Sequence, residues 1–126
     1  MRLFRTIALS ACLGGLLSGQ TQDPKAAVPE AHQGLVSSLL AKARTYLGTP
    51  YHYGGTTPRG FDCSGFVRFV FGAFGFGLER SSTSQARQGE AVDLSQIQPG
   101  DLLFFKTRGK QDRVSHVGLS LGHECP

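Results

Sequence analysis

The sequence predicts an α+β domain, and three observations carry that prediction. Two stretches in the first two thirds of the chain, from Leu35 and from Cys63, have the apolar content and spacing of helices. Two short apolar runs nearer the end, "DLLFF" and "SHVGLSLG", are bounded by turn residues, and the second alternates apolar with small or polar positions. The order is helices first and strands after, without repeats or βαβ alternation, which fits helices packed on one side of an antiparallel sheet. A length of 126 residues suits one domain. The formal charge of +4 falls to about +2 without Arg2 and Arg5, too little for a nucleic-acid partner.

The elements follow in chain order. "MRLFRTIALSACLGGLLSGQ" opens with two arginines and is then uncharged, the pattern of a secretory signal over residues 1–19. It is too short and too glycine-rich for a membrane span. Within it Leu9–Cys12, "LSAC", resembles a lipobox, which makes Cys12 a candidate for acylation, with plain cleavage near Gly19 as the alternative. Residues 20–33 carry two prolines and no periodicity, so they are expected to be a linker, with the domain running over 34–126. Leu35, Val36, Leu39, Leu40, Ala43 and Leu47 then share one helical face, with Lys42 and Arg44 toward water. Gly48 suits a C-terminal cap and Pro50 prevents continuation.

"TPYHYGGTTPRG" (49–60) is expected to be a loop. Asp62 is a good N-cap for the next helix, which is apolar nearly all round except at Arg68 and is stopped by Gly72, Gly75 and Gly77. Ser82 and Gln85 match a capping box and predict a short helix. Pro99-Gly100 turns into a strand over "DLLFFK", a polar loop follows, and "SHVGLSLG" is the next strand. His116, Gly118 and Ser120 share one of its faces. That small face is expected to admit the Cys63 helix, while Val117, Leu119 and Leu121 pack the opposite layer.

Cys63 follows the helix N-cap directly. Unpaired backbone N–H groups and the helix dipole favour a thiolate there and can stabilise an oxyanion. The local sequence lacks a base. His116 is the best candidate, because His32 falls in the linker and His52 in the loop. A cysteine and a histidine far apart in sequence suit a thiol hydrolase. Two other readings stand beside it. In one, Cys63 is simply a small core residue; in the other, Cys63, His116, His123 and Cys125 form a metal or disulfide site, although His123 and Cys125 lack a recognisable zinc spacing.

"GTPYHYGGTTPRGFDCSGFVRFVF", "ERSSTSQA", "IQPGDLLFF" and "SHVGLSLG", in that order from about Leu35 to Gly122, resemble the NlpC/P60 family of cell-wall cysteine peptidases. The resemblance implies a papain-like α+β fold and hydrolysis of peptidoglycan stem peptides, commonly between D-glutamate and the following diamino acid. It implies Cys63 as nucleophile, His116 as base, and Tyr51, Asp62 and Ser64 at the substrate groove. No cofactor or metal is expected, and the chain should be a monomer at the cell envelope or secreted, touching a membrane only through a lipid on Cys12. The family's third catalytic residue, usually histidine, lies about a dozen residues past the first, where the chain has already reached Pro126. The orienting residue and the strands completing the sheet are therefore expected to be missing. A catalytically impaired relic, a peptidoglycan-binding module, and a related thiol amidase or acyltransferase are the alternatives.

Overall fold

The computed structural model describes residues 2–5, 30–109 and 112–122. In chain order the elements are β1 (Arg2–Arg5), α1 (Glu30–Arg44), β2 (Thr56–Thr57), β3 (Gly60–Phe61), α2 (Cys63–Gly72), α3 (Ser82–Gln85), β4 (Glu90–Val92), β5 (Leu102–Phe105) and β6 (His116–Leu119). β2 and β3 form a two-stranded hairpin, and the other four strands make an antiparallel sheet in the order β4-β1-β5-β6. The predicted α+β class is the class observed.

One face of the β5–β6 pair carries the core. Leu102, Phe104 and Val117 join Val36, Leu39, Leu40 and Ala43 of α1 and Val67, Val70 and Phe71 of α2 in one buried cluster, with Leu119 packed against it. Fully burying one such side chain stabilises by roughly 1.5–3 kcal/mol, so the two helices are fixed mainly by this shared face. Pro99-Gly100 works as expected: Gly100 adopts φ 90°, where a side chain would be strained, and its N–H donates to Ser120 O at the end of the strand pair.

Several boundaries differ from expectation. α1 begins at Glu30, inside the stretch read as linker, because Glu, Ala and Gln favour helix without contributing an apolar stripe. The stripe ends at Ala43, and Leu47 lies past the helix with 77% of its surface exposed. The expected loop contains the β2–β3 hairpin, turned at Pro58-Arg59. α2 exposes Arg68, the one charged residue in it, and also Gly72 at its end.

The largest difference is at the N-terminus, where the start of the expected signal segment is a strand. Leu3 pairs with Val92 on one side and Leu103 on the other. β4 and β5 each present an unpaired edge toward the same gap, and a four-residue segment between them satisfies both sets of backbone groups. The lipobox-like stretch, Cys12 and residues 20–29 lie outside the described residues, as do His123 and Cys125.

Candidate active site

The first turn of α2 is held by a polar cluster. Asp62 has extended backbone (φ −89°, ψ 174°), and its Oδ1 accepts from the Gly65 N–H at 2.6 Å. Ser64 Oγ donates to the same oxygen at 3.2 Å. Arg80 closes the cluster as a fork. Its Nη1 donates to Asp62 Oδ1 at 3.1 Å and to Ser64 Oγ at 3.0 Å, while Nη2 donates to Asp62 Oδ2 at 2.7 Å. Partial burial pushes the Asp62 carboxyl up, but the bond and charge of Arg80, with the Gly65 and Ser64 bonds, outweigh it and hold the group below its usual range. The Arg80 guanidinium is correspondingly pushed up, first by its bond to Asp62, with Cys63 and Tyr53 also within electrostatic reach.

Arg80 was not among the residues singled out from sequence. The available signal was physical: a carboxylate capping a packed helix needs a cation. Arg80 is itself positioned by Gln85, which is 1% exposed and whose Nε2 donates to Ser64 O at 3.1 Å and Glu79 O at 2.7 Å. The expected capping box between Ser82 and Gln85 is therefore replaced. Ser81 caps α3 by accepting from Ser84 N–H, leaving Gln85 free to tie the α2 turn to the Arg80 segment.

The other side of Cys63 is built by the 50–61 segment. His52 N–H donates to Phe61 O, Phe61 N–H to Pro50 O, and Asp62 N–H to Gly55 O. Phe61 is buried in an aromatic group with Tyr46, Phe66 and Phe69, its ring centre 5.2 Å from that of Phe69. Gly65 allows the close approach, since a Cβ there would lie 2.0 Å from Gly55 O. Tyr51 bridges to Phe61 through its backbone, and its side of the loop is exposed.

Asp62, Cys63, Ser64 and Arg80 are thus assembled together, and Cys63 is partly buried at the start of α2. His116 is placed differently from expectation. It begins β6, which packs on α2, but the helix meets the Val117 face. At Gly118 the nearest described atom to a built Cβ is Phe105 Cε2, at 3.7 Å. The apolar face wins because Val117 and Leu119 gain more from burial against the helices than a small face could. The His116 imidazole is exposed beside Phe105, ring centres 5.9 Å apart, with no hydrogen bond to Cys63 among the described residues. Among those residues no group of three or more His, Cys, Asp or Glu side chains is arranged to hold a metal.

Comparisons with known proteins converge. Residues 48–125 match the NlpC/P60 family. The chain is 35% identical over 120 residues to the "Probable endopeptidase NlpC" of Escherichia coli (strain K12), covering 94% of this chain and 77% of that protein. It is 39% identical over 97 residues to the "Gamma-D-glutamyl-L-lysine dipeptidyl-peptidase" of Bacillus subtilis (strain 168), covering 76% of this chain and 33% of the relative's length. The crystal structure of the NlpC/p60 domain of peptidoglycan hydrolase SagA superposes with a TM-score of 0.61 at 39% identity, covering 69% of this chain and 73% of that one.

Proposed function

The chain belongs to the NlpC/P60 family, and from that premise we propose that it is a thiol hydrolase of peptidoglycan stem peptides. The observation that supports this reading is the placement of Cys63 as the first residue of α2, directly after an Asp62 cap locked by Arg80. Gly65 N–H is taken by Asp62 Oδ1 and Phe66 N–H by Asp62 O. The N–H groups of Cys63 and Ser64 have no partner among the described residues and lie at the positive end of the helix.

Chemically, Cys63 Sγ attacks the amide carbon, and the carbonyl oxygen takes up negative charge opposite those N–H groups. The C–N bond breaks, the amine leaves with a proton from His116, and a thioester remains. Water then attacks the thioester with His116 taking its proton, and Cys63 leaves as a thiolate that His116 accompanies as the imidazolium. The bond proposed is the one following γ-D-glutamate, in keeping with the name of the Bacillus subtilis relative. Asp62 and Ser64 shape the groove with Arg80, and Tyr51 borders it from the exposed loop. Export to the cell envelope, acylation at Cys12 and a monomeric state complete the proposal. A processed chain gives up β1, so the strand and the signal segment are alternative uses of Arg2–Arg5.

A stem-peptide binding module without turnover is the second reading. It is favoured by His116, whose imidazole has no hydrogen-bond partner among the described residues. The deciding experiment incubates the purified protein with the tripeptide L-Ala-γ-D-Glu-L-Lys and follows release of lysine. Release that disappears in Cys63→Ala and falls by about 10²-fold or more in His116→Ala supports the hydrolase. Binding of the tripeptide without Cys63-dependent release supports the module.

A further inference from the structure

The connection between β5 and β6 is cationic, with Lys106, Arg108, Lys110 and Arg113 against the single carboxylate of Asp112. Lys106 pairs with Asp112. Arg108 and Arg113 have no ion pair or hydrogen bond among the described residues. Both line a cavity of about 220 Å³ with Ser82, Thr83, Val114 and Ser115.

The walls of this cavity are already tied together. Thr83 Oγ1 donates to Val114 O at 2.8 Å, joining the segment after Arg80 to the residues before His116. Ser115 Oγ accepts from Thr107 N–H at 2.8 Å, and Ser115 N–H donates to Phe105 O at 2.9 Å. With those polar groups engaged in the walls, the charged donors left are the two guanidinium forks, beside the Ser82 hydroxyl, and their planar geometry matches a carboxylate in two-point contact.

Position decides which carboxylate. Ser115 directly precedes His116, the group that hands its proton to the departing amine under the proposed reaction. The amine-side fragment therefore lies on the His116 side of the scissile bond, and that fragment ends in the peptide's free carboxylate. Resting on the hydrolase reading for this placement, we propose that Arg108 and Arg113 form an anion subsite for the terminal carboxylate of the amine-side part of the stem peptide. The subsite makes the protein selective for peptides whose C-terminus is free and close to the cleaved bond.

The test uses calorimetry on the Cys63→Ala protein at low salt, with L-Ala-γ-D-Glu-L-Lys as the free acid and as the C-terminal amide. The free acid is expected to bind about tenfold tighter or more, the range of a charge-assisted hydrogen bond. Arg108→Gln/Arg113→Gln should bring the two peptides to equal affinity without weakening the amide, and Arg108→Lys/Arg113→Lys should restore part of the preference. A preference for the free acid that survives the Gln pair overturns the subsite, as does failure of both peptides to bind. Inorganic phosphate binding in an Arg-dependent way, while acid and amide bind alike, overturns it in favour of a phosphate site. Loss of the hydrolase reading shows separately, as absent lysine release from the intact protein while the Arg-dependent preference persists.

Discussion

At the scale of single residues, the site depends on a carboxylate kept ionised by a neighbouring guanidinium. The folded Asp62 carboxyl titrates below its ordinary range, so the unfolded chain binds its proton first as pH falls. Its contribution to stability is fully present above the unfolded value near 4 and is lost as pH drops through the lower folded value. Urea unfolding between pH 7 and pH 3 is expected to show this loss below about pH 4, and Asp62→Asn should flatten that acid limb. Arg80→Gln should cost about 1–2 kcal/mol at neutral pH. That straddles the lower end of the range for bonds to a charged group, because the Arg80 side chain is 39% exposed and screened by water. An Arg80→Gln protein as stable as the parent would remove Arg80 from the support of the α2 turn.

At the scale of elements, the position of Cys63 is set by what α2 leans on at its first turn. Phe61 is buried among Tyr46, Phe66 and Phe69, and its backbone carries the 50–55 loop. Phe61→Ala is expected to cost about 3–5 kcal/mol, as for other buried Phe truncations. Gly65→Ala drives a Cβ to 2.0 Å from Gly55 O, and backbone on both sides must shift. It should destabilise by about 1–3 kcal/mol, the scale of overpacking. It should also slow iodoacetamide labelling of Cys63, read by peptide mass spectrometry, because Asp62 and Gly65 cannot keep their bond. Unchanged stability and unchanged labelling in Gly65→Ala would mean that this close approach does not position the thiol.

At the scale of the whole molecule, the sheet is completed across a gap by four residues from the beginning of the chain. β4 pairs with β1 and not with β5. A protein lacking residues 1–5 is expected to lose hydrogen-exchange protection at Glu90–Val92, down to the level of mobile loops, while Leu103 and Gly118 stay protected by the β5–β6 pair. Retained protection of Glu90–Val92 in the shortened protein would show that β4 does not depend on β1. Under the proposed export, cleavage of the signal segment removes β1, so the N-terminal residue of the mature protein determines which sheet is present.

The sequence by itself determined the two helices, the short helix at Ser82–Gln85, the strands around Leu102–Phe105 and His116–Leu119, and Asp62 as the cap before Cys63. Those features rest on local periodicity and capping, which neighbouring residues settle between themselves. The tertiary structure decided what distant segments do to one another. Arg80 closes on Asp62 from 18 positions away, Gln85 gives up a capping role to reach Ser64, and Arg2–Arg5 enters the sheet beside β5. It also decided that Val117 and not Gly118 meets the helices, so that His116 faces water beside Phe105. Alternation divides a strand into two faces but does not say which face a helix will cover. That choice is made by the burial gained when the whole core closes.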